Sequence, residues 1–271
     1  MGMTGNRVVQ TIGILLILMM PSIGISQKAA VNGQVLAAVK KDGKWGFIDT
    51  LGKTAIPFTM DAANGFSEGL AAVKYGTEWG FINKKGQFSI KPVFTKANGF
   101  HDGHALISFI EKRDNQSYTG YISRFGTMSI LLENYETGSD FHDGLAQIVS
   151  LDINGRAVGY KDSLDKWMIK PHYDDATDFN EGKAAVALGK LWGFINDENK
   201  IVVFPEYDEA WSYQEGFAYV KSGNKTSFLN SKGKVAFTVI HDETDLAVQE
   251  GLICFKDNGL IGYISLDLSS R

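Results

Sequence analysis

The chain has 271 residues, of which 44% are hydrophobic and 21% are charged, and its formal net charge is −4. This composition is typical of an ordinary globular protein. The mild acidity excludes the basic surface with which proteins bind nucleic acid. A single Cys excludes an internal disulfide framework and a Cys-based zinc site. The 30 Gly and only 5 Pro indicate many turns between short strands.

The first 26 residues have the layout of a secretory signal peptide. Arg7 is the one basic side chain before the uncharged apolar stretch Val8–Met20. Small residues at Gly24 and Ser26 suit cleavage after Ser26. The apolar stretch is shorter than the roughly 20 residues of a transmembrane helix, and an uncleaved anchor is the alternative. We therefore predict an exported protein, periplasmic or at the cell surface, whose mature chain begins near Gln27 and contains no membrane span.

The remainder of the chain, residues 27–271, is predicted to be one domain of seven tandem units. A Gly that follows an acidic residue recurs at intervals of 34, 41, 38, 34 and 35 residues, at Gly69, Gly103, Gly144, Gly182, Gly216 and Gly251. A second column has nearly the same intervals and consists of Gly46, Gly80, Gly120, Gly159, Gly193, Ser227 and Gly262. Two columns that share one period are the signature of a repeat protein.

Each unit is predicted to contain three antiparallel strands. In the second unit these are Leu70–Lys74, Trp79–Asn83 and Gln87–Lys91, with Lys85-Gly86 as a tight turn. The first strand alternates between packed Ala or Val and a middle residue that we expect to pack more loosely. The second strand is apolar on both faces, so we expect its Trp and Phe columns to lie in the core. Such units must stack on their neighbours, because none can bury both faces alone.

Three units share a longer motif. The segments are Lys44-Trp45-Gly46-Phe47-Ile48-Asp49, Glu78-Trp79-Gly80-Phe81-Ile82-Asn83 and Leu191-Trp192-Gly193-Phe194-Ile195-Asn196. They resemble the WG (KWG-type) repeat of bacterial proteins, and the resemblance extends over about residues 34–265. The other units lack the Trp but keep an aromatic residue one place after the Gly or Ser. The resemblance implies an all-β array in an exported or surface-associated protein and supplies no enzyme activity.

The number of strands in a unit favours one arrangement of the units over another. Three strands in about 34 residues favour three-stranded units that stack as an open, solenoid-like or superhelical array. A closed, β-propeller-like ring of seven units is the alternative, although propeller blades usually have four strands. The fold is predicted to be all-β in both cases.

The sequence predicts no catalytic residue, no metal site and no cofactor. His101 and His142 occupy one slot of adjacent units, but Ser, Asn or Gln fills this slot elsewhere, which favours a solvated turn over a metal site. The acidic connector at 174–178 lacks the ligand pattern of a calcium loop. Acidic residues recur once in each unit, whereas an active site needs a unique constellation.

These observations predict a non-catalytic binding or scaffold module of the bacterial cell envelope, with a protein or an envelope glycan as partner. A self-assembling structural surface protein and a carboxylate-dependent hydrolase are the alternatives. Units 3 and 4 are the longest and contain polar insertions at Ser108–Tyr118 and Ser150–Ala157. Because insertions in adjacent units emerge on the same side of a stack, we expect these two hairpins to form the contact surface, with Arg113 and Arg156 as anchors.

Overall fold

All secondary structure in the described part of the chain is β-strand. The computed structural model describes residues 35–133, 135–152, 155–240, 247–249, 252–257 and 260–265. The strands form seven separate antiparallel sheets, one for each predicted unit, which confirms the all-β repeat fold. No helix in these ranges is long and apolar enough to cross a membrane. The predicted signal peptide and the predicted start of the mature chain lie outside the described residues.

The strands follow the repeat along the chain. Units 1 and 2 contain β1 (Ala37–Lys41), β2 (Lys44–Ile48), β3 (Thr54–Met60), β4 (Ala62–Ala63), β5 (Leu70–Tyr75), β6 (Glu78–Asn83) and β7 (Phe88–Phe94). Units 3 and 4 contain β8 (Lys96–Ala97), β9 (His104–Glu111), β10 (Gln116–Ser123), β11 (Met128–Leu131), β12 (Glu136–His142), β13 (Leu145–Asp152), β14 (Gly155–Asp162) and β15 (Trp167–Tyr173). Units 5 to 7 contain β16 (Asp175–Ala176), β17 (Lys183–Leu188), β18 (Leu191–Asn196), β19 (Ile201–Tyr207), β20 (Glu209–Ala210), β21 (Phe217–Ser222), β22 (Lys225–Asn230), β23 (Val235–Ile240), β24 (Ala247–Gln249), β25 (Leu252–Asp257) and β26 (Leu260–Ser265).

Units 2 to 6 contain four strands, so the prediction of three strands is wrong for these units. In unit 2 the predicted strands are present as β5, β6 and β7, and the short strand β4 of the connector pairs with β5. Two residues are too few to show an alternating pattern, so the sequence does not reveal β4. Four strands are also usual in a propeller blade, and the number of strands therefore does not separate an open array from a ring.

The hydrophobic core is divided among the junctions between consecutive units. At the first junction, Phe47 and Met60 of unit 1 pack with Phe66, Ala71 and Val73 of unit 2. Similar clusters lie at the next four junctions. The sheets of units 2 to 5 are therefore buried on both faces by their neighbours, as predicted for stacked units.

Two expectations about burial hold only in part. The middle column of the first strand is half-buried at Leu106, Gln147 and Tyr219, as expected, but not in every unit. It is fully buried at Ala72 and Ala185, because these small side chains face the following unit. Trp79 is only partly buried at the margin of its core, whereas Phe81, on the same face of β6, is completely buried. Two side chains on the same face of a strand therefore differ in burial, and the Phe lies deeper in the core than the Trp.

The Gly of the WG pair makes room for a bulge in the outer strand of the same sheet. In unit 5 the residues Trp192 and Phe194 pair with Tyr207 and Val203, so three residues of β19 lie opposite Gly193 alone. A Cβ on Gly193 would lie 2.4 Å from the carbonyl oxygen of Val203 and 2.7 Å from the nitrogen of Pro205. Since both atoms belong to the backbone, no side chain fits there. At Gly46, Gly80 and Gly159 a Cβ would likewise lie 2.8, 2.6 and 2.4 Å from the nearest backbone atom.

Candidate binding surface

Units 3 and 4 contain the longest hairpins among the described residues. The strands β9, β10, β13 and β14 have 8 residues each, whereas β5, β6, β17 and β18 have 6. The additional residues lie in the β9–β10 and β13–β14 hairpins, as the sequence indicates. β12 contacts β9 and pairs with β13, so the two long hairpins, which we call the 3/4 hairpins, belong to adjacent sheets.

Arg113 lies in the turn between β9 and β10, and its side chain is 88% exposed. Its Nε lies 3.8 Å from Oε1 of Glu111, and an exposed ion pair of this kind contributes little stability. The rings of Phe109 and Tyr118 stack across the hairpin with centroids 5.8 Å apart. The Tyr118 hydroxyl donates a hydrogen bond of 2.9 Å to Asp114, and this bond raises the pKa of Tyr118. The ring stacking and this hydrogen bond stabilise the turn on which Arg113 is exposed.

Arg156 lies in β14, near its start, and is held by the connector to unit 5. Its guanidinium donates hydrogen bonds to the carbonyl oxygen of Asp174 and, at 3.0 Å, to Oδ1 of Asp175. These contacts fasten the β13–β14 hairpin to the following unit. Of the two predicted anchors, Arg156 therefore joins two units, whereas Arg113 pairs within its own hairpin. Both remain predictions as binding residues.

A buried ion pair lies at the base of the β13–β14 hairpin. Lys161 occupies the slot that Ile195 fills in unit 5, and its Nζ lies 3.1 Å from Oε2 of Glu136 and 3.1 Å from Oδ1 of Asp165. Burial lowers the pKa of Lys161, but the hydrogen bonds to Glu136 and Asp165 outweigh burial, so the pKa is raised. The ammonium also lies 4.7 Å from the ring centroid of Trp167. A buried charge without its partner is costly, so the ion pair between Lys161 and Glu136 holds β14 against the start of β12.

Exposed apolar side chains lie on or beside both 3/4 hairpins. Ile110 of β9 is 50% exposed, Leu151 of β13 is 53% exposed and Tyr135 is 46% exposed. The backbone N–H of Leu151 donates a hydrogen bond of 2.9 Å to the carbonyl oxygen of Tyr135, which places these two residues side by side. Aromatic side chains and Arg are enriched in protein interfaces, and the core of an interface is more apolar than the remaining surface.

The recurrent acidic residues form a ladder of hydrogen bonds from unit to unit. Each carboxylate accepts a hydrogen bond from the backbone N–H of the Gly in the next unit. The pairs are Glu68–Gly103, Asp102–Gly144, Asp143–Gly182 and Glu181–Gly216, at 3.1, 2.8, 2.8 and 2.9 Å. The acidic column therefore links consecutive units. The sequence shows only that these acidic residues recur at a regular interval.

His101 and His142 lie together in the structure, each beside a carboxylate. Their ring centroids are 5.5 Å apart. Nε2 of His101 lies 3.7 Å from Oδ2 of Asp140, and Nε2 of His142 lies 3.8 Å from Oδ2 of Asp178. Within the described ranges no three His, Cys, Asp or Glu side chains are placed to hold a metal ion. These contacts therefore form a polar seam between units 3, 4 and 5.

Comparison with known proteins gives one family match. The profile of the WG containing repeat matches residues 45–76, 79–110, 159–192 and 192–225. The third match begins at Gly159, in a unit that lacks the Trp, so the family pattern extends beyond the three complete motifs. No curated protein matches the chain.

Several solved structures are partly similar to the chain at low sequence identity. AztD from Citrobacter koseri, in its apo form, is 13% identical with a TM-score of 0.49, and the match covers 89% of this chain and 83% of AztD. Hsv2 from Kluyveromyces lactis is 8% identical with a TM-score of 0.47, and the match covers 73% and 70%. The β-propeller domain of the Trilobed protease from Pyrococcus furiosus is 8% identical with a TM-score of 0.46, and the match covers 87% and 91%.

Proposed function

Because the WG containing repeat matches four segments of the chain, we propose that the protein is a non-catalytic binding or scaffold module that is exported to the bacterial cell envelope. The layout of residues 1–26 as a signal peptide supports export. The stacked units support a scaffold, since such arrays offer a broad surface on which individual loops can vary. The acidic ladder supports a structural and not a catalytic role for the four recurrent acidic residues in it, because each binds the backbone of the next unit.

The pair of long hairpins is the observation that carries this proposal. Both hairpins extend beyond the length that the repeat requires, and they present Ile110, Leu151 and the highly exposed Arg113. The buried pair Lys161–Glu136 ties the base of the β13–β14 hairpin to β12, and a fixed base lowers the entropy cost of binding. We expect a protein partner, since exposed apolar side chains beside an Arg suit a protein surface.

The test is a pull-down of envelope proteins and glycans with the mature chain, followed by titration of the purified partner. Ile110→Ser together with Leu151→Ser is expected to weaken binding by at least about tenfold, because loss of interface contacts of 1.4 kcal/mol has that effect. The matched control is Leu188→Ser together with Leu191→Ser, which alters exposed apolar residues, 43% and 41% exposed, at the tip of the short hairpin of unit 5.

The control variant is expected to bind like the unaltered chain. If the chain with both 3/4 hairpins shortened to the length of β5–β6 stays folded and keeps its partner at unchanged affinity, the proposed surface is wrong. Capture of a glycan and no protein would contradict the expected partner class.

A further inference from the structure

Lys161 is a buried amine in a column that is otherwise apolar. Five other units have an aliphatic residue in this slot, namely Ile48, Ile82, Ile122, Ile195 and Leu229. The side chain of Lys161 is 7% exposed and that of its partner Glu136 is 4% exposed. A buried ion pair adds little stability over well-packed apolar residues. Stability alone therefore does not account for a Lys in this slot.

Two carboxylates and an aromatic ring surround the amine of Lys161. Its Nζ lies 3.1 Å from Oε2 of Glu136 and 3.1 Å from Oδ1 of Asp165. The side chain of Asp165 is 46% exposed, so Asp165 can exchange protons with water, whereas Glu136 is enclosed. The ring centroid of Trp167 lies 4.7 Å from Nζ and covers a further side of the amine. The two carboxylates that contact one nitrogen thus lie in different environments.

The carboxyl group of Glu136 is held in a way that suits attack by an amine. The backbone N–H of Glu133 donates a hydrogen bond of 3.2 Å to Oε2, the same oxygen that contacts Lys161. A backbone N–H aimed at a carboxyl oxygen stabilises the negative charge that develops there when a nucleophile adds to the carbon. The site therefore combines an amine nucleophile, an enclosed carboxyl group, a donor to its oxygen and a separate base, Asp165.

We propose that Lys161 and Glu136 join in an intramolecular isopeptide bond, with Asp165 as the general base. Asp165 takes one proton from the ammonium, and the freed electron pair of Nζ forms a bond to Cδ of Glu136. Asp165 then passes this proton to Oε1, and a second proton moves from Nζ to Oε1. The Cδ–Oε1 bond breaks and one water leaves, so that the amide keeps Oε2 and one N–H. No oxidant, reductant or cofactor is consumed, and Asp165 ends in its starting state.

The surroundings explain both the need for Asp165 and the driving force. Burial lowers the pKa of Lys161, but the hydrogen bonds to Glu136 and Asp165 raise it by more, so the amine is protonated at rest and needs a base. Amide formation removes two buried charges, each of which is costly away from water. The contact between Lys161 and Glu136 also holds the reacting groups together, which replaces a collision in solution. The amide N–H can donate to Asp165, and its oxygen keeps the N–H of Glu133.

The bond would connect two strands that do not pair with each other. Glu136 lies in β12 and Lys161 in β14, and β13 lies between them in the sheet of unit 4. The cross-link therefore fastens the base of the β13–β14 hairpin covalently. It is independent of the proposed binding function, because it forms within one chain and needs no partner.

Mass spectrometry of the purified chain under denaturing conditions tests this proposal. The unaltered chain is expected to be lighter than its sequence by the mass of one water. After proteolysis, the segments that contain Glu136 and Lys161 are expected in a single branched peptide. Lys161→Arg keeps the positive charge but offers a guanidinium that stays protonated, so this variant is expected to have its full sequence mass.

Two further variants test the environment and the base. Lys44→Arg is the matched control, because Lys44 contacts Asp61 at 2.6 Å in an exposed ion pair, and this variant is expected to keep the branched peptide. Asp165→Asn leaves both reacting groups in place and is expected to slow bond formation after synthesis by about a hundredfold, the usual contribution of a general base.

The same measurements can overturn the proposal. An unaltered chain that has its full sequence mass and no branched peptide contradicts the bond. A loss of water that persists in Lys161→Arg, or that maps to other residues, also contradicts it. Bond formation at an unchanged rate in Asp165→Asn contradicts the role of Asp165.

Discussion

Units 5 and 6 are consecutive and similar in sequence, yet their outer strands have different shapes. In unit 5, Gly193 faces a bulge that contains Pro205. In unit 6, Ser227 faces Thr238 on a strand that pairs without a gap at this position. In these two units the Gly accompanies the bulged outer strand and Ser accompanies the strand that pairs without a gap. Unit 3 shows that a bulge is not the sole reason for the Gly, because Gly120 pairs directly with Leu131 and a Cβ there would still lie 2.3 Å from the carbonyl oxygen of Ile130.

The largest expected effect concerns the aromatic residue that both units keep. Phe194→Ala and Phe228→Ala are each expected to lower the free energy of unfolding by about 3–5 kcal/mol, because both rings are completely buried. Trp192→Ala is expected to cost less, since this ring is only partly buried at the margin of the core. Urea denaturation of the three variants checks this order. A loss at Trp192 as large as that at Phe194 would contradict it.

The second largest effect is a loss of stability that is expected to differ between units 5 and 6. Gly193→Ala is expected to destabilise the protein by about 2–3 kcal/mol, because the new Cβ would overlap backbone atoms of β19. Ser227→Gly is expected to cost only about 1 kcal/mol, the cost of a Gly inside a strand. Thermal and urea unfolding of both variants provides the measurement. Equal losses at the two positions would remove the distinction between a bulged and a straight outer strand.

A smaller effect concerns the link between units 5 and 6. Glu181 accepts a hydrogen bond from the N–H of Gly216 at 2.9 Å, so Glu181→Ala is expected to cost about 1 kcal/mol. Glu181→Gln keeps an acceptor oxygen and serves as the conservative control, with a smaller expected loss. If the two variants are equally stable in urea, the hydrogen bond between the units contributes nothing measurable.

The smallest effect appears only at alkaline pH. Burial raises the pKa of Tyr213 to about 12 from its usual value of 10.0. The folded state therefore holds the proton more tightly, and this part of the stability is complete below pH 10 and is lost as the pH rises towards 12. Tyr213→Phe gives unit 6 the residue that unit 5 has at Phe179 and is expected to reduce the loss. Unfolding midpoints between pH 8 and about 11.5 check this, and an unchanged slope would contradict it.

The sequence predicts the repeat, the antiparallel strands and the stacking of units, because these depend on periodic Gly, Ala and aromatic columns. It does not predict the short strand β4, which has too few residues for a pattern. The different burial of Trp79 and Phe81 was also hidden, since strand alternation assigns both to one face. Lys161 offered a signal, because a Lys stands in a column of Ile and Leu, but its partner Glu136 is brought close only by the fold.

The candidate surface was predictable in part. The excess length of units 3 and 4 places the long hairpins correctly, since extra residues between two paired strands extend the hairpin. The sequence does not distinguish the roles of Arg113 and Arg156, because the contact of Arg156 with the Asp174 carbonyl depends on how the next unit is positioned.

Coupling between residue 193 and the outer strand is measured most directly by a double-mutant cycle. One background is the native chain, and the other carries the residues of β23 in place of β19, so that the bulge of unit 5 is absent. Gly193→Ser is expected to lower the free energy of unfolding by about 2–3 kcal/mol in the native background. In the grafted background the same substitution is expected to change it by less than about 0.5 kcal/mol, since the outer strand no longer covers the site. An equal loss in both backgrounds would contradict the coupling.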